Sequence, residues 1–95
     1  MPKLPKSFLK QPIAHRGLHD ALKGIPENSR AAFEAAIEGG FGIELDLQLS
    51  ADGEAMVFHD YSLSRLTGVH GPIQMCDAVD LRQIKLKNTH ETIPD

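Results

Sequence analysis

Glu44 and Asp46 stand two residues apart in a run, residues 43–50, whose apolar and acidic or polar side chains alternate without a break. On an extended strand such residues point to the same side, with alpha carbons about 6.6 Å apart for a rise near 3.3 Å per residue. Two carboxylates that converge in this way suit one hard cation, Mg²⁺ or Ca²⁺ rather than Zn²⁺. The plainer reading is a solvated polar face opposite a leucine face, and the pattern alone does not choose between them. His15 and Arg16 close an earlier apolar run. A guanidinium binds phosphate oxygens in bidentate fashion, although Arg16 could equally pair with an acid such as Glu27. His59, followed by Asp60, closes a third apolar run.

Each of these histidines, taken alone, is more often structural than catalytic. Their joint placement carries more weight. His15-Arg16, Glu44 with Asp46, and His59 each fall at or near the end of a successive candidate strand. In a barrel of parallel strands that is the face where active sites are built. The chemistry these groups suit is phosphodiester cleavage: a cation and an arginine for the non-bridging oxygens, two histidines for general acid and general base.

The elements that must position these groups are legible in part. Residues 12–17 read as a short buried strand and residues 18–26 as a loop. Asn28 reads as the N-cap of a helix over residues 29–38, rich in alanine, with Phe33, Ala36 and Ile37 at helical spacing. Gly39-Gly40 supplies the stop. Residues 43–50 read as one strand, with Ile43, Leu45, Leu47 and Leu49 on one face. A turn at residues 51–54 leads to a strand at 55–59, in which Met56 and Phe58 are core candidates. Strand, helix, strand predicts a parallel βαβ unit. The tight turn before Ala55 leaves parallel and antiparallel pairing of 43–50 with 55–59 open. Residues 61–67 read as loop or a helical turn, Asp77 as the cap of a helix over 78–84, and residues 85–95 as polar chain with no closing element.

With 95 residues the chain has room for one small domain, and with one cysteine, Cys76, it can form no internal disulfide. Cys76 lacks the His or Asp pattern of a nucleophile. Ten basic and 13 acidic residues, spread along the chain for a net charge of −3, argue against a nucleic-acid surface. No segment approaches the roughly 18 consecutive apolar residues of a membrane span. Residues 1–11 read as an extended arm without the apolar core of a signal peptide, which makes the cytoplasm the expected compartment.

The motifs, taken together, resemble the glycerophosphodiester phosphodiesterase family. They are His15-Arg16-Gly17, Pro26-Glu27-Asn28-Ser29, Gly40, Glu44-Leu45-Asp46, Ser50-Ala51-Asp52-Gly53 and His59-Asp60, continued by Leu63, Arg65, Leu66-Thr67 and Gly71. Their order and spacing hold over residues 12–95. The resemblance implies an α/β fold, the N-terminal part of a TIM (β/α)8 barrel of roughly 250 residues, with about three strands and two helices present. It implies cleavage of a glycerophosphodiester to an alcohol and glycerol 3-phosphate. Glu44 and Asp46 would be metal ligands, His15 and His59 the acid-base pair, Arg16 the phosphate ligand and Glu27 an orienting acid.

In that family a further glutamate and a lysine come from a later strand, beyond this sequence. The 95 residues are therefore expected to be the first part of the domain, with little activity alone and an open sheet edge that favours self-association. The alternative is a catalytically dead remnant serving as a binding or interaction module. A related barrel phosphodiesterase for phosphoinositide or sphingolipid is disfavoured by the Pro-Glu-Asn-Ser motif. His19, His70 and His90 fall in loops and are expected in solvent, His19 being a minor site candidate beside His15.

Overall fold

The computed structural model describes residues 12–95; the arm expected over residues 1–11 lies outside them. The first element, β1 (Ile13–His15), runs into a left-handed corner at Arg16 and Gly17. A single 3₁₀ turn at Ala21–Lys23 interrupts the loop that follows. Helix α1 (Arg30–Glu38) buries Ala32 and Ala36 and returns the chain to β2 (Gly42–Glu44). Strand β2 pairs in parallel with β1, Ala14 opposite Ile43 and His15 opposite Glu44. The expected βαβ unit is thus present. Its helix can sit close because Gly17 has no side chain: a Cβ there would lie 2.7 Å from that of Ala32.

At α1 one local expectation is corrected and another holds. The N-cap is Ser29, whose hydroxyl accepts from the Ala32 N–H at 3.1 Å, and not Asn28. Asn28 instead adopts a left-handed conformation, φ 52°, which directs its amide away from the helix and onto Asp46. Gly39 closes the helix in ordinary helical geometry, and Gly40 takes the left-handed turn, φ 75°.

The run 43–50 is not one strand. It breaks at Leu45-Asp46 into β2 and β3 (Leu47–Leu49), and β3 turns back through residues 50–54 to pair antiparallel with β4 (Ala55–Val57). Two short strand pairs therefore replace a continuous sheet, and β4 is not a third parallel strand. The tight Ser50 turn, in which the Ser50 N–H donates to the Glu54 carbonyl, fixes this direction. Leu45, Leu47 and Leu49 are 43, 58 and 56 % exposed, so among the described residues the leucine face is only partly covered.

The apolar core lies instead in the second half. Met56, Phe58, Leu63, Ile73, Ala78, Leu81, Leu86 and Ile93 form one buried cluster. Helix α2 (Ala78–Leu81) is shorter than the expected 78–84. Asp77 stands at its cap position without a side-chain bond; the carboxylate of Asp52, on the β3–β4 turn, accepts from the Ala78 N–H at 2.9 Å. Residues 85–95 are not loose: Lys85 bridges Thr92, Thr67 bridges Leu86, and the Pro94 carbonyl accepts from the Val57 N–H at 2.8 Å.

Candidate active site

The left-handed corner after β1 carries Arg16, and the loop before α1 brings Glu27 beneath it. Glu27 is buried, 8 % exposed, and accepts from the Arg16 Nη1 at 2.9 Å. Burial pushes the Glu27 carboxyl up, but hydrogen bonds and charge from Arg65, with further help from Arg16, outweigh it and hold the group below the usual glutamate range. Two guanidinium groups thus meet on one carboxylate.

Asn28 fixes the next acid. Its side-chain amide donates to the Asp46 carboxylate at 3.1 Å, and its carbonyl oxygen accepts from the Asp46 N–H at 3.4 Å. This clasp occupies the strand break between β2 and β3. The same Asp46 carboxylate lies 3.5 Å from the Arg16 Nε, too far and too poorly aligned to count as a hydrogen bond. Arg16 Nε is buried and has no hydrogen-bond partner. A buried guanidinium N–H without an acceptor is costly unless a ligand supplies one.

His15 and Glu44 face each other across the β1–β2 ladder, Nε2 to Oε1 at 3.1 Å. Both side chains are more than half exposed. His59 follows β4, its carbonyl held by the Gln48 side chain at 2.9 Å. Its Nδ1 lies 2.7 Å from the Asp60 carboxylate. Asp60 is held down to about 2, first by the Arg65 hydrogen bonds, against the upward push of burial, and then by His59. A groove lined by Asp46, Gln48, His59, Asp60 and Tyr61 opens on this side.

The six residues singled out from the sequence fall into two groups. Arg16, Glu27, Asp46 and His59 belong to a continuous polar network completed by Asn28, Asp60 and Arg65; His15 and Glu44 form a separate pair at the neighbouring strand ends. Sequence reasoning gave no site role to Arg65 or Asp60, and gave the Asn28 side chain only the part of a helix cap. Arg65 was visible only as one residue of the family motif, because its partner Glu27 lies 38 residues away. His19 lies in a different hollow with Glu27, Arg65 and Lys87, and His70 and His90 are exposed.

Among the described residues no three His, Cys, Asp or Glu side chains converge as a ready metal site. The chemistry of the donor set nevertheless fits a hard cation. Glu44 and Asp46 offer oxygen only, keep side-chain exposures of 55 and 28 %, and are balanced by the cationic or ionisable partners His15 and Arg16. Two carboxylates leave most of the coordination shell to water and substrate oxygens, as Mg²⁺ tolerates.

Residues 15–95 match the glycerophosphoryl diester phosphodiesterase family. The glycerophosphodiester phosphodiesterase of Caldanaerobacter subterraneus subsp. tengcongensis is 52 % identical over 60 residues, which cover 62 % of this chain and 24 % of that protein. Glycerophosphodiester phosphodiesterase 1 of Bos taurus is 44 % identical over 78 residues, 80 % of this chain and 22 % of that one. Among solved structures, an Oleispira antarctica phosphodiesterase in complex with the product sn-glycerol-3-phosphate superposes with a TM-score of 0.77 at 38 % identity. That match covers 94 % of this chain and 38 % of the other. A glycerophosphodiester phosphodiesterase from Agrobacterium tumefaciens gives 0.76 at 31 %, over 88 % of this chain and 38 % of that one. The chain spans about a quarter of the length of the relatives matched by sequence. Its fold is the corresponding part of their TIM barrel.

Proposed function

Given that the chain belongs to the glycerophosphoryl diester phosphodiesterase family, we propose that the Arg16 corner is the phosphate side of a metal-assisted site that hydrolyses glycerophosphodiesters to an alcohol and glycerol 3-phosphate. The observation that carries this reading is the buried Arg16 Nε without a partner, beside a carboxylate it approaches but does not bond. A phosphate oxygen supplies the missing acceptor, and the fork geometry of a guanidinium suits it. Glu27 holds the other edge of Arg16 and so aims it.

Glu44 and Asp46 would hold a divalent cation, Mg²⁺ or Ca²⁺. When bound, the cation neutralises charge on the phosphoryl oxygens. His15, beside Glu44, and His59, in the groove with Asp46, would exchange protons with the attacking water and the leaving alcohol. An imidazole can both accept and donate a proton, which suits it to this exchange.

The reading is tested by grafting. Residues 12–95 replace the matching segment of the Oleispira antarctica relative, and hydrolysis of a glycerophosphodiester such as glycerophosphocholine is followed with and without Mg²⁺ or Ca²⁺. Metal-dependent turnover is expected. His15→Ala and His59→Ala should each lower it roughly 10²–10⁴-fold. Glu44→Ala should also raise the metal concentration required. A folded chimaera without hydrolysis, or histidine variants with unchanged turnover, would remove the assignment.

A further inference from the structure

Arg65 uses four of its five N–H groups on two acids at once. Nη1 and Nη2 donate to Glu27 Oε1 and Oε2 at 2.7 and 3.0 Å, and Nε and Nη2 donate to Asp60 Oδ2 and Oδ1 at 2.8 and 3.1 Å. Each carboxylate receives a full fork, and the two forks share one nitrogen. Glu27 passes the constraint to Arg16 at 2.9 Å; Asp60 passes it to His59 at 2.7 Å. The two ends of this chain come from different halves of the molecule. Arg16 and Glu27 flank the β1 corner and the start of α1. Asp60 and Arg65 follow β4, in the loop whose Leu63 belongs to the buried core.

We propose that Arg65 is a positioning residue: its double fork fixes Arg16 and His59 relative to one another, and the Asp60 it holds presents His59 as the Nδ1–H tautomer, with Nε2 left for proton transfer. This rests on the phosphodiesterase reading for its purpose, though not for its geometry.

An ion pair at this exposure is ordinarily worth little, since Arg65 is about half exposed. Two features separate this one from that rule. Glu27 is buried, so its carboxylate cannot turn to water without loss. The double fork also demands a planar array of donors that no other side chain has. An ionised Asp60 can only accept, so the ring nitrogen facing it must carry the hydrogen. The groups facing His59 are Asp60 next to it, Arg65 behind Asp60, and Asp46 and Tyr61 in the shared groove.

The test needs no substrate, so failure of the phosphodiesterase reading and failure of this one are read separately. Imidazole ¹⁵N spectra of the 95-residue chain at about pH 8, where an ordinary histidine is neutral, report the His59 tautomer. The Asp60 carboxyl ¹³C signal reports its titration. In the wild type we expect the Nδ1–H tautomer and an Asp60 midpoint near 2. Arg65→Lys keeps the charge but not the forks. It should give a mixed tautomer and an Asp60 midpoint displaced toward 3.8, the ordinary value, as should Arg65→Gln. Methyl signals of Leu63 and Leu86 confirm that the core of each variant is intact. A wild-type His59 in the Nε2–H form overturns the proposal, with no variant required. So does an Arg65→Lys chain that keeps both wild-type signatures, since charge alone would then suffice.

Discussion

The backbone N–H of Asn28 donates to the carbonyl of Arg16 at 2.8 Å, and both residues have left-handed backbone, φ 52° and 59°. Two corners that few side chains adopt without strain are thus locked to one another. One corner aims the guanidinium and the other aims the amide that holds Asp46. Strain of this kind is tolerated where the surroundings over-determine it, and here each corner is part of the surroundings of the other.

Asn28→Gly and Asn28→Ala separate the two contributions. Both remove the clasp on Asp46, but alanine must also adopt positive φ, which glycine does freely. Asn28→Ala is expected to be less stable than Asn28→Gly by about 1 kcal/mol in denaturant unfolding. Equal stabilities would show that the corner relaxes.

Acid should loosen the site before it unfolds the core. Asp60 and Glu27 both have lowered folded-state values, so their contributions are fully present above the ordinary carboxylate range. For Asp60 the contribution is lost as pH falls from about 3.8 toward about 2. Glu27 follows the same sign, beginning to lose its contribution below its ordinary 4.5. Arginine side-chain Nε–H signals of Arg65 should therefore broaden in this window while Leu63 and Leu86 methyl signals persist. Simultaneous loss of both sets would place the double fork within the global unfolding unit.

Helix α2 offers a third contrast. Asp52→Ala removes the acceptor that bonds the Ala78 N–H and the Ser50 hydroxyl, whereas Asp77→Ala removes a side chain with no capping bond. The first variant should lower the melting temperature and the second should change it little. A larger effect at Asp77 would return the cap to the residue that sequence favours.

These contrasts also show what sequence can reveal. The polar residues singled out stand out in the sequence from the apolar runs around them, and the structure joins Arg16, Glu27, Asp46 and His59 in one polar network. The βαβ pairing was legible from alternating patterns and a glycine stop. Asn28 and Ser29, however, are both good caps, and nothing local chooses between them. Asp46, 18 residues away, decides by recruiting the first. The alternation of residues 43–50 did not reveal the backbone break at Leu45-Asp46, where the same clasp sits. Asp77 lost its capping role to Asp52 across 26 residues. Each difference arises where a distant partner overrides a local preference.

The N-terminal turn of α1 has one more distant partner. Glu91 Oε1 accepts from the Ala31 N–H at 2.7 Å, a bond spanning 60 residues. The helix that follows the Glu27-Asn28 corner thus receives one of its end contacts from Glu91, far along the chain. Closing so long a loop is slow compared with winding a helix. During synthesis the Ala31 N–H can meet this acceptor only after residue 91 has been added. The start of α1 therefore draws one of its end contacts from a segment outside the proposed site.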